Sequence, residues 1–453
     1  MKKALTILLL VLGCAAFVQA APPFESVLSD KTVVFIAARD VPQLQARFKE
    51  HALYDLWKEP SVQRFFEASV QRLKSEIQKA ETETGVTLEE IGSLFHGQAA
   101  LAIHMGNTPD DVNIVVMVDV GQDGERALGL VSALNNASAE KQGNTPATIV
   151  EETYEGARLL HLHNPAEAGM DGAESAATFG LAEDVFLVGH PAKAVKQTVT
   201  FLKSPPANTL ANTPAFTATL NKVSDASQCV VFVNFQHILD AVNANAAETP
   251  IPQILSALGL NGLVSIGLGV ELGEQFATSR AFMQTTGTPA GLMRLLLPEP
   301  GPLHDGQEAP ADAASFFSLR FEPAVLWDEI EKGLAVARPE ILAAMNMQIE
   351  TLAQQTGQTF NLRNDLFAVF GSRMAVYTRY EKPYTLQSQQ MVFLMDIVSK
   401  AAFDQAWGKL QKMAPQLAML LQPQDYLGHQ VYAFSMPTPP NTVSYTHLTL
   451  PTN

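Results

Sequence analysis

Cysteine is nearly absent from this 453-residue chain, which holds two in all, Cys14 and Cys229. That excludes a disulfide-stapled scaffold and any metal site built on several thiolates. Basic residues are also scarce: 30 Lys and Arg stand against 46 Asp and Glu, a net charge of −16. This is the wrong sign for a phosphate backbone, so nucleic acid is excluded as a partner class, and anionic membrane surfaces are disfavoured. Charged residues make up only 17% and hydrophobic residues 47%, which excludes global disorder. The chain has no Gly-x-Ser-x-Gly elbow, no His-Glu-x-x-His and no Walker loop. Gly267-Leu268-Gly269 is a fragment of a dinucleotide fingerprint. Leu272 stands in place of its third glycine, and the run falls inside a strand pattern rather than at a helix start.

What is present begins with a targeting pattern. Met1-Lys2-Lys3 is basic, Ala4 to Phe17 is apolar, and Val18-Gln19-Ala20 offers small residues for cleavage. Residues 1–20 therefore read as a signal peptide, with Ala21 first in the mature chain. Val11-Leu12-Gly13-Cys14 also resembles a lipobox, in which Cys14 would carry a lipid anchor, although Leu12 fits it poorly. Both readings place the body of the protein outside the cytoplasm, in the periplasm or secreted. Residues 251–270 carry no charge, but Pro252, Gln253, Ser256, Asn261, Ser265 and four glycines make the run too weakly hydrophobic to span a bilayer. A helix ending at Gly259, followed by a buried strand, is expected instead. No transmembrane helix is expected in the mature chain.

The pattern repeats. Thr32 to Ile36 and Ser315 to Leu319 each read as a short strand running into a helix with an early proline. A long amphipathic helix follows in both halves, with Val62, Phe65, Phe66, Val70, Leu73 and Ile77 on the apolar face of the first. These helices stop at Thr84-Gly85 and at Thr356-Gly357, where glycine is the expected C-cap. Phe95-His96-Gly97 then parallels Val369-Phe370-Gly371, and strands ending at Asp119 and Asp396 correspond. The expected fold is α+β: repeated strand-helix-helix-strand-strand-helix units, with antiparallel sheets and helices on one face. The expected organisation is a first repeat unit over 21–204, a compact middle α+β unit over 215–297, a Pro-rich linker over 298–313, and a truncated second repeat over 314–440. Residues 441–453 look like translated sequencing-adapter read-through, an artefactual tail. The last strand of the second half is therefore expected to leave an open sheet edge.

This order of elements resembles the uncharacterised exported bacterial proteins grouped as domain of unknown function 3352. The resemblance covers most of residues 25–440. It implies no activity, cofactor or catalytic residue.

Four sets of residues merit attention. His161 and His163 alternate on a strand and share a face, so they would hold a metal if a carboxylate joined them; an exposed face of an edge strand is the plainer expectation. Asp119 and Asp396 end strands, where a carboxylate caps the following turn. Arg39 and Arg320 sit at strand-to-helix turns, suited to bonding carbonyls. Cys229 lies in an apolar strand and reads as a small core residue. No catalytic, cofactor-binding or metal-binding residue is assigned. The leading functional expectation is an exported cell-envelope protein that is non-enzymatic, a binding or scaffold protein for an unknown envelope protein or ligand. The alternative is an envelope hydrolase with an unrecognised active site.

Overall fold

A computed structural model describes residues 21–453, apart from parts of 68–84 and 107–110 and all of 143–144, 164–176, 224–226, 246–250, 274, 297–299, 384–387, 414–420, 427–428, 435–445 and 450–453. The expected signal peptide, Cys14 and most of the expected tail thus lie outside the described residues. The chain forms two compact units. One comprises residues 1–247 and 263–286, the other residues 248–262 and 287–453.

The first unit runs β1 (Thr32–Ala38), α1 (Val41–Glu50), α2 (Ala52–Lys58), α3 (Pro60–Phe65), α4 (Leu88–Gly92), β2 (Ala99–Met105), β3 (Val112–Asp119) and α5 (Gly124–Gln142). It continues through β4 (Thr148–Tyr154), β5 (Ala157–His163), β6 (Ala177–Ala182), β7 (Val185–His190), α6 (Ala192–Lys203), α7 (Pro214–Val223), β8 (Cys229–Asn234) and α8 (Phe235–Asn245). After an excursion it closes with β9 (Leu263–Leu272) and β10 (Ala277–Thr285). All ten strands form one antiparallel sheet in the order β10-β9-β8-β1-β2-β3-β7-β6-β5-β4. The strands of the stretch expected as a separate middle unit therefore extend the first unit's sheet. The join is β8 on β1, where Phe232 pairs with Phe35.

Period-two alternation sorts the side chains of each strand between two faces. On one face, Phe35, Phe232, Met117, Leu159 and Leu187 pack against Val195, Val199 and Leu202 of α6 and Phe216, Leu220 and Val223 of α7. The Phe216 ring meets Phe35 and Phe232 edge-on, at 5.8 and 5.0 Å. On the other face, Leu128 and Val131 of α5 cover Leu160, Phe179 and Phe186. Helices thus lie on both faces of this sheet, not on one. The α5 cover reaches only part of its face. The ladder Leu268–Val231–Ile36–Leu101–Val116 continues across five strands, and Ile36 and Leu268 remain 42% and 36% exposed.

Gly85, the expected cap of the first long helix, lies in the left-handed region at φ +66°, and its N–H donates to the Glu81 carbonyl at 2.8 Å. Phe66, expected on its buried face, is exposed and sits beside Trp57. The proline-bearing stretch 204–214 between α6 and α7 is pinned: Leu210 is fully buried and its N–H donates to the Leu28 carbonyl at 2.9 Å.

The second unit holds α9 (Ile251–Ala257), β11 (Ser315–Arg320), α10 (Pro323–Ala337), α11 (Pro339–Thr356), β12 (Phe370–Tyr380), β13 (Gln389–Ile397) and α12 (Lys400–Met413). These are followed by β14 (Leu421–Tyr426), β15 (His429–Phe434) and β16 (Thr446–Thr449). As expected, α9 ends before a left-handed Gly259, and a strand begins at Leu263. No helix among the described residues is long and apolar enough to cross a membrane. The strands form two antiparallel sheets, β11-β12-β13 and β14-β15-β16. The β15 edge, expected to be open, carries β16, which comes from the expected tail. Val369, Phe403 and Ala406 form the core, with Phe370 and Trp407 packed on it.

One contact occurs in both units. A Cβ on Gly97 would fall 2.3 Å from Asp119 Oδ2, and one on Gly371 would fall 2.7 Å from Asp396 Cβ. In each, a strand enters the sheet through a glycine because the aspartate of the next strand fills the space a side chain would need.

Candidate binding groove

In the second unit a groove of about 750 Å³ opens between α9, the 3₁₀ turn Gly291–Leu296 and α10. Its wall is set by backbone. Gly259 and Gly291 both take positive φ, +78° and +58°. A Cβ on Gly259 would sit 1.7 Å from the Ala290 carbonyl oxygen, and one on Gly291 2.5 Å from that of Ala257. Only two glycines let these segments cross so closely. The Leu292 N–H closes the crossing by donating to Leu258 O at 3.1 Å.

Glu329, Lys332 and Val336 of α10 line the groove. Their spacing of three and four residues puts them on one helix face. Glu329 is 5% exposed. An isolated buried carboxylate would be costly, and here two cations answer it. Lys332 Nζ donates to Glu329 Oε1 at 2.9 Å, and Arg294 Nη1 stands 3.9 Å from the same oxygen. Asp328, next in sequence, turns instead to Arg363, whose hydrogen bonds hold its carboxyl below the usual range. Gln253, Ser256 and Ala257 line the opposite side, with Pro289 and Ala290 at the crossing.

None of the candidate site residues weighed from sequence, His161, His163, Asp119, Asp396, Arg39, Arg320 and Cys229, lines this groove. His161 is buried, not on an exposed edge, because β4 lies outside β5. Its Nδ1 pairs with Thr178 Oγ1 at 2.9 Å and its Nε2 with Glu152 Oε2 at 2.8 Å. Lys196 of α6 bonds the other Glu152 oxygen at 2.8 Å, and that bond is the main reason the Glu152 carboxyl is lowered. Thr178 is fully buried, so its hydroxyl is closed to solvent. His163 stands opposite Thr148 on the outermost pair. Among the described residues, no three His, Cys, Asp or Glu side chains converge as a metal site.

Asp119 accepts the Gly121 N–H at 3.2 Å, the turn cap expected of it, and burial raises its carboxyl. Asp396 departs from that expectation. It takes a forked bond from Arg373, at 2.6 and 3.2 Å, and lies 3.3 Å from His304 Nε2. His304 comes from the expected Pro-rich linker yet is 8% exposed, packed between Asp396 and Glu308 without hydrogen-bond geometry to either. Arg39 pairs loosely with Glu25 at 3.8 Å rather than with a carbonyl. Arg320 Nε is buried with no hydrogen-bond partner among the described residues, and its guanidinium lies against Gly301. Cys229 is half-buried, and burial raises its thiol, which keeps it protonated and unreactive.

The groove residues escaped the sequence reading. Glu329 and Lys332 show helical spacing, but that is also the signature of an ordinary surface pair. Nothing local in the sequence brings Arg294 to them. No protein-family model matches the chain, and neither a curated protein nor a solved structure matches it.

Proposed function

We propose that this is an exported cell-envelope protein that binds a ligand without transforming it, a non-enzymatic binding or scaffold protein. The observation that carries the reading is the groove of the second unit, where a paired buried carboxylate and two cations face a largely apolar wall. A concave apolar surface with a few convergent polar groups is the usual form of a small-molecule site. The extracytoplasmic location rests on residues 1–20, and the internal repeat on the matching Gly–Asp contacts and strand orders. The envelope-hydrolase alternative would find its best candidate in Thr178, His161 and Glu152, but that hydroxyl is sealed from substrate.

The test uses the mature chain. Native mass spectrometry after incubation with a small-molecule extract of cell envelopes should show a retained adduct. Ser256→Trp, which fills the groove from an exposed position, should abolish it. Steady hydrolysis of ester, phosphate or glycoside substrates, lost on His161→Asn or Glu329→Gln with folding intact, would overturn the reading.

A further inference from the structure

We propose that the groove takes a small amphipathic carboxylate, with Arg294 and Lys332 holding the carboxylate and the wall of Ala257, Pro289, Ala290 and Val336 holding an aliphatic body. This rests on the binding reading above and adds the chemical class of ligand. The argument begins with charge. The protein carries a net −16, yet the charged groups that line this groove are two cations and one carboxylate. That carboxylate is spoken for: Glu329 is buried and bonded to Lys332. A ligand amine would meet Arg294 and Lys332 before it met Glu329, so the lining selects against cations.

The two cations are placed differently. Lys332 is tethered by its hydrogen bond to Glu329, which fixes its ammonium at the groove. Arg294 Nη1 stands 3.9 Å from that oxygen, beyond hydrogen-bond length, and the side chain is 60% exposed. Its planar fork therefore remains available for a bidentate oxyanion. Glu329 is a positioning residue that holds one cation and orients the field at the other. The remaining lining is neutral and mostly apolar, which favours one anionic head on an aliphatic body over a compact inorganic anion. An acyl acid and the C-terminus of an apolar peptide share this chemistry.

Calorimetric titration of the full mature chain with octanoate and with acetyl-Ala-Leu-Val, each beside its neutral counterpart (octanol and the peptide C-terminal amide), tests the assignment. Both acids, or one of them, should bind, and the stronger identifies the source. The neutral counterparts should bind at least about tenfold more weakly, as should the acids on Arg294→Gln, with a several-fold loss on Lys332→Gln. Both substituted positions are mostly exposed and glutamine keeps a donor for the buried Glu329, and urea unfolding of each variant establishes that it is folded before binding is compared. Three results overturn the carboxylate assignment: neutral probes or octylamine binding as tightly as the acids, inorganic phosphate binding equally well, or Arg294→Gln having no effect. If neutral probes bind and Ser256→Trp blocks them, the binding reading survives while the assignment falls. If no probe binds, the assignment falls, and the extract experiment decides the binding reading separately.

Discussion

Burial holds His104 neutral: the ring is 8% exposed, Thr32 Oγ1 lies 2.9 Å from its Nδ1, and its pKa is pushed down from 6.5 to about 4. The sign of the consequence follows from linkage. Above pH 6.5 neither the folded nor the unfolded ring is charged, and His104 leaves stability unchanged. Between 6.5 and about 4 the unfolded chain takes up a proton that the folded chain refuses, so stability falls as pH falls. The full loss is about 3 kcal/mol. Urea unfolding at neutral and at mildly acidic pH should therefore show a larger acid loss for the natural chain than for His104→Gln; equal losses would contradict this account. His161 makes a different case, because its ring nitrogens are satisfied by Thr178 and Glu152. His161→Leu removes both bonds, one of them to the Glu152 carboxylate, from a buried site. An expected cost of about 1–3 kcal/mol should appear as a lower urea midpoint with unchanged slope.

At the scale of elements, the crossing of residues 257–259 with 290–291 can be isolated by comparing two glycines. Gly287 and Gly291 both have positive φ, +66° and +58°, so alanine strains the backbone at each. A Cβ on Gly287 meets nothing within 4 Å, whereas one on Gly291 meets backbone at 2.4 Å. Gly291→Ala should therefore cost at least about 1 kcal/mol more than Gly287→Ala, measured by chemical unfolding, since the segments must part. Local pattern made many elements legible. The strands at Thr32–Ala38 and Ser315–Arg320, the left-handed Gly85 and Gly357 and the strands that end at Asp119 and near Asp396 all follow from alternation, helical period and glycine. Partnership across long separations was not legible. Nothing near Cys229–Asn234 tells β8 to lie beside β1, and His161 looks like an edge residue until β4 is known to pair outside it. The groove was hidden for the same reason, because its walls come from segments far apart whose crossing depends on two glycines, Gly259, which reads only as a helix end, and Gly291, which carries no signal of its own.

At the scale of the whole molecule, the uncovered part of the large sheet face places Ile36, Ile114, Leu268 and Met283 in partial contact with water. Exposed apolar area of this kind binds apolar dyes and promotes association. Paired substitution of Ile36 and Leu268 by lysine should reduce dye fluorescence while moving the urea midpoint little; an unchanged signal would mean the face is covered in solution. The path of the chain between its two units has a separate consequence. The polypeptide leaves the first unit at 247, returns at 263 and leaves again at 287. No single cut can therefore divide this protein into two complete pieces. A fragment ending at 286 would carry α9 without α10, and one beginning at 287 would carry α10 with one side of its groove missing. The same order applies as the chain is synthesised amino end first: α9 must wait for α10 while β9 and β10 complete a sheet to which it does not belong.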